Sequence, residues 1–111
     1  MREKIRDPLR ICHALKAINK IELFMEGKGT EDLNEEGVLF YAIVKNLEII
    51  GEAIYMLSPD FKHSHHTINW LDFEKLRHVL VHGYYTINPK IVYEIVKNDI
   101  PALKYKLLDL G

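Results

Sequence analysis

A single cysteine, Cys12, is all the thiol chemistry these 111 residues carry. One thiol excludes an internal disulfide and favours a reducing setting inside a cell. No stretch approaches the roughly 18 apolar residues that a membrane-spanning helix needs. A leader segment at the start is also disfavoured, because Arg2, Glu3, Lys4, Arg6 and Asp7 interrupt any apolar run. These absences together predict a soluble cytoplasmic protein. Charge of one sign is lacking too. The formal net charge is −1, which excludes coating nucleic acid through bulk charge and leaves only a local site for such a contact. No repeat, linker or low-complexity stretch divides the chain, and nothing alternates convincingly with a period of two.

What is present is a hydrophobic fraction of 48%, enough for one modest core and too much for a disordered chain. We read residues 1–111 as a single domain. Apolar residues recur at spacings of three and four, the period of helices. Asp7, with Pro8 behind it, reads as the N-cap of a first helix carrying a stripe of Leu9, Cys12, Leu15, Ile18, Ile21 and Met25, stopped by Gly27 and Gly29. Cys12 is expected to be a small buried apolar residue of that stripe. An acidic surface connection follows. A second long helix, about 34–57, carries Phe40, Ile43, Val44, Leu47, Ile50, Ile54 and Leu57. Gly51 inside it costs up to about 1 kcal/mol relative to alanine, and close helix packing is the expected compensation.

Ser58-Pro59 ends the second helix, with a short turn through Phe61 and then a polar loop, "KHSHHTIN". Asn69 caps a third helix with Trp70, Phe73, Leu76 and Leu80 on one face; Phe40, Trp70 and Phe73 are expected in the core. Gly83 is where this helix bends or ends. Asn88-Pro89 starts a fourth with Ile91, Val92, Ile95 and Val96, and Pro101 a last one with Leu103, Leu107 and Leu108. The predicted fold is all-α, a compact antiparallel bundle of about four to five helices with short connections.

The polar residues concentrate late. Residues 1–60 hold 8 basic and 11 acidic side chains; residues 61–111 hold 7 basic and 5 acidic, and five of the six histidines. His63, His65 and His66 lack a cysteine or carboxylate at a ligand spacing, so a solvated loop is expected there rather than a metal clip. His78 and His82 are four apart, a spacing that can chelate a metal, but Val79 stands where the zinc hydrolase signature needs glutamate. Within "RHVLVHGYY", Arg77 and His82 lie about 140° apart on an ideal helix, whereas Tyr84 falls about 20° from Arg77. Arg77 and His82 would converge if the helix distorted before Gly83, or if two copies met across a two-fold axis. Alternatively, the Arg–His–Tyr group simply ties helix ends together. Glu48 and Glu52, four apart on the second helix, are expected on a solvated face, the alternative being that they orient Arg77 or His82.

The pattern Arg77-x4-His82-x-Tyr84, behind a helix starting at Trp70 and preceded by "VKNLEIIGEAIYMLSP", resembles the HepT-like branch of the HEPN superfamily, the toxin half of HepT/MntA toxin–antitoxin systems. The similarity covers most of residues 38–105. It implies a helical bundle that forms a homodimer, with the Arg-x4-His groups of both copies in an interface cleft. It further implies a ribonuclease that needs neither metal nor other cofactor, with Arg77 and His82 catalytic and His78 in support. Tyr84 is the implied acceptor of AMP from a partner nucleotidyltransferase antitoxin, with Tyr85 matching the unmodified aromatic position. Gly83 departs from relatives that carry an acidic residue there. Two other readings stand beside this one. The bundle could be a non-catalytic module that binds a nucleotidyltransferase, or a helical protein holding a metal with His78, His82 and the loop histidines.

Overall fold

The second helix is the hub of the molecule, and the residues around it explain why. The computed structural model describes the backbone of residues 2–83 and 88–110, and the side chains of residues 6–80 and 88–110. Helix α1 spans Arg2–Met25 and is followed by a 3-10 turn at Thr30–Asp32. The remaining helices are α2 (Val38–Tyr55), α3 (Pro59–Ser64), α4 (Trp70–Gly83), α5 (Pro89–Glu94) and α6 (Ile100–Asp109), with a π-helical turn at Ile95–Asp99 between the last two. No strand occurs among the described residues, so the expected all-α bundle is what forms.

Helix α2 buries Phe40, Ile43, Val44, Leu47, Ile50 and Ile54, the stripe expected from the sequence. It packs against α1 on one side and α4 on the other. It starts after Gly37 rather than near residue 34, because Glu35 and Glu36 form a turn whose Gly37 N–H donates to the Asn34 carbonyl at 2.7 Å.

Helix α1 departs from expectation at its start and on its face. It begins at Arg2 and runs through Pro8, although Pro8 brings no N–H to the ladder. Asp7 does not cap it. The Asp7 carboxylate is buried and accepts from the Ser58 backbone N–H at 2.8 Å and from its hydroxyl at 2.6 Å. The buried face is therefore Asp7, Ala14, Ile18 and Ile21, with Ile11 and Met25 partly covered. Cys12 is exposed and Leu9 is half exposed, against the expectation for both. The two small residues Ala14 and Ala17 are buried on this helix, which packs against α2. Gly27, at φ 73°, ends α1 in the left-handed region where a side chain would be strained.

The tie from Asp7 also shapes α3. Ser58 accepts from the Phe61 N–H through its own hydroxyl at 3.2 Å, so the expected short turn grows into a six-residue helix. Trp70 is buried and its indole N–H is shared between the Lys62 and His65 carbonyls, at 3.2 and 3.1 Å. Those carbonyls lie at the end of α3, where no helical donor is available. Asn88 caps α5 by accepting from the Ile91 N–H at 2.9 Å. The expected break at Pro101 is milder than a new helix. Pro101 has no N–H and crowds the carbonyl four residues back, and the chain accommodates it by widening to π register just before. Leu103 and Leu107 are buried, Leu108 is exposed, and Lys104 reaches Glu22 on α1 at 2.7 Å.

Candidate functional site

Two backbones meet closely where α2 crosses α4. A Cβ built on Gly51 would lie 2.6 Å from the Arg77 Cβ and 3.0 Å from its Cα. Real side chains do not approach that closely, so glycine is required at 51 by the presence of α4. The cost of glycine inside a helix is thus offset by packing, as the sequence suggested.

This crossing sets the start of the Arg77 side chain, and the next turn of α2 sets its course. Glu52 Oε1 accepts from Arg77 Nε at 2.6 Å. Tyr55, three residues on, lies under the guanidinium, with its ring centroid 4.4 Å from Cζ. One face and one edge of the arginine are therefore held. The four N–H donors on its η nitrogens are outside that contact, and they form the planar fork that suits two oxygens of a phosphate. Arg77 is 26% exposed and Glu52 53%. A pair so open to water adds little to stability; its effect is on direction. The hydrogen bond to Glu52 holds the Arg77 pKa above its ordinary value; partial burial opposes this, and charge attraction from Glu52 and Tyr55 adds to it.

Glu52 was expected on a solvated face. It is exposed, yet it is the partner of Arg77, so the alternative reading holds for this residue. Tyr55 has no precedent in the sequence pattern, although its spacing of three from Glu52 and four from Gly51 places all three on one side of α2. His78 is exposed on α4. His82 belongs to α4, but its side chain lies outside the described residues, as do Tyr84 and Tyr85 entirely.

The loop histidines are elsewhere. His63 and His65 line a cavity of about 460 Å³ between α1 and α3, away from Arg77. The His65 ring packs on Phe61, centroids 4.5 Å apart. Among the described residues, no three His, Cys, Asp or Glu side chains converge as a metal site. No helix is long and apolar enough to cross a membrane among those residues.

The all-helical bundle packed around α2 is consistent with a small HEPN-type domain. The family model "Ribonuclease HepT-like" matches residues 14–110, and the chain belongs to that family. It is 36% identical over 91 residues to a Thermococcus cleftensis protein named "Probable ribonuclease HepT", covering 82% of this chain and 83% of that one. It is 32% identical over 110 residues to a Methanocaldococcus jannaschii protein whose name couples a gamma-glutamylcyclotransferase with a provisional RNase assignment. That match covers 99% of this chain but only 49% of the longer relative, so the chain spans about half its length. No solved structure matches the chain significantly.

Proposed function

We propose that this chain is a ribonuclease toxin of the HepT-like family, cutting RNA at a composite site of Arg77 and His82, with His78 in support. The observation that carries the proposal is the clamped guanidinium. Glu52 takes its Nε and Tyr55 its face, leaving the donor fork for a phosphate. The family membership and the ribonuclease names of the relatives support the same reading.

The chemistry needs three services. A base removes the proton from the RNA 2′-hydroxyl, whose oxygen then forms a bond to the adjacent phosphorus. The bond from phosphorus to the 5′-oxygen breaks, and an acid protonates that leaving oxygen. A cation stabilises the charge on the phosphorane in between. Histidine, with an ordinary pKa of about 6.5, serves as base or acid near neutrality, and the arginine fork is the cation. One copy supplies one His82. Pairing two copies across a two-fold axis supplies two, enough for both proton transfers.

Control is proposed to run through Tyr84. A partner nucleotidyltransferase would join its phenolic oxygen to the α-phosphorus of ATP, with pyrophosphate leaving. The added phosphodiester would then compete with RNA for Arg77.

The test is cleavage of RNA by the pure, unmodified protein. The parent is expected to leave 2′,3′-cyclic phosphate ends, and Arg77→Ala and His82→Ala each to lose on the order of a hundredfold in rate. Undiminished cleavage by His82→Ala refutes the assignment. Intact mass after incubation with partner and ATP tests Tyr84; AMP mapped to another residue removes it from the scheme.

A further inference from the structure

A groove runs beside the Arg77 platform and is used by nothing described so far. It lies between α1 and α2. Near Arg77 it is lined by Arg10, His13, Lys45, Glu48 and Glu52, with a volume of about 260 Å³. Farther along, a second hollow of about 160 Å³ shares His13 and Ile49 with the first and adds Lys16 and Lys20. Because Glu52 both lines the groove and binds Arg77, the groove opens onto the proposed site.

Three properties of this groove point to a polyanion. Along α1, Arg10, His13, Lys16 and Lys20 are spaced by three, three and four, which keeps them on one side of a helix. Counting Lys45 and Arg77, five fixed cations face two carboxylates here, in a chain whose net charge is −1. Second, the ion pairs among the described residues are Lys62–Glu74, Arg77–Glu52 and Lys104–Glu22, so Arg10, Lys16, Lys20 and Lys45 spend their charge on no carboxylate. Arg10 Nε is buried with no hydrogen-bond partner among those residues. Third, the two carboxylates sit at the Arg77 end, whereas the far end is lined by Lys16, Lys20, Asn46 and apolar Ile49 and Ala17. Charge thus grows more positive away from the reacting centre.

We propose that the α1–α2 groove binds the phosphodiester backbone of single-stranded RNA and delivers it to Arg77. From Arg10 to Lys20 the helix rises about 15 Å, the reach of a few nucleotides. The width suits one strand, since a hollow of this volume between two packed helices has no room for a duplex. Recognition through phosphates makes the track indifferent to sequence. This inference rests on the ribonuclease reading for its purpose, though not for its binding measurement.

The experiment compares the parent with the triple variant Lys16→Ala, Lys20→Ala, Lys45→Ala. All three lysines are exposed, and an unchanged thermal melt checks the fold. Binding of a 2′-O-methyl oligouridylate of about a dozen nucleotides, which cannot be cleaved by 2′-oxygen attack, is followed by fluorescence anisotropy over a salt series. Removing three phosphate contacts is expected to flatten the slope of log K against log salt by about 2, at roughly 0.7 per contact for a single strand. Cleavage of a long oligonucleotide is expected to fall at least about tenfold in kcat/KM, while cleavage of a uridylyl-adenosine dinucleotide, too short for the groove, is unchanged. Lys→Arg at all three positions is expected to restore the parent slope. An unaltered slope in the triple alanine variant overturns the track, whatever the cleavage result. Displacement of the RNA by polyglutamate at equal charge overturns it as well, and assigns the groove to an acidic protein segment. Groove-dependent binding by a parent that cleaves nothing keeps the track and removes the ribonuclease reading instead.

Discussion

Gly51 and Arg77 touch backbone to backbone: a methyl group added at 51 would overlap the Arg77 Cβ at 2.6 Å. Gly51→Ala should relieve about 1 kcal/mol of helix-propensity cost but force α4 outward, at about 1–3 kcal/mol for overpacking a tight contact. The expected net is a modest loss of stability with a much larger loss of RNA cleavage, because the arginine moves with α4. Thermal melts beside cleavage rates check this. A more stable variant of full activity would show that the crossing is not what positions Arg77.

Glu52→Gln keeps the size of the side chain and removes the charge. The pair is open to water, so stability should hardly change. Activity should fall by roughly tenfold, since a misdirected fork costs that order of rate. The sign of the pH dependence follows from the raised Arg77 pKa. A group whose pKa rises on folding gives stability that disappears only as pH climbs through that raised value. For an arginine this lies above any working pH, so the Glu52→Gln defect should be the same across the neutral range. Tyr55→Phe should retain the stacked contact; Tyr55→Ala should resemble Glu52→Gln.

Asp7→Ala should be the most destabilising single change outside the apolar core. It leaves the buried Ser58 N–H and hydroxyl without their acceptor, at about 1–3 kcal/mol for each unsatisfied group. Ser58→Ala also removes the cap of α3, worth about 1 kcal/mol. Because both act on one network, the double variant should lose less than the two separate losses combined. Chemical denaturation of the four proteins tests the cycle.

Cys12 should react with a thiol reagent in the native protein as readily as in denaturant. Its exposure is the reason. Protection until unfolding would place α1 in a different rotation.

Most of the architecture could be read from hydrophobic spacing alone, and the departures have identifiable causes. Stripes rich in large aliphatics, such as Phe40 to Ile54, were legible because burial leaves few other uses for them. The α1 face was set about one residue off, because a buried Asp7 and two alanines do not look like core until their partners Ser58 and α2 are known. At the site, Gly51 signalled a close crossing without naming what crosses. Glu52 looked solvated because it is exposed; exposure and a directed contact to Arg77 coexist. Tyr55 gave no sign, since a ring under a guanidinium depends on a contact 22 positions away in sequence.

The π turn at Ile95–Asp99 has one more consequence. It holds one residue more than an ordinary helix would over the same rise. Deleting Asn98 would let that turn close to ordinary pitch and leave everything after it in nearly the same phase. Leu103 and Leu107 would stay in the core, and Lys104 would keep Glu22. A deletion inside Ile100–Asp109 has no such slack to draw on and would rotate the rest of the last helix by about 100°, so the chain tolerates the loss of a link in the wide turn far better than one beyond it.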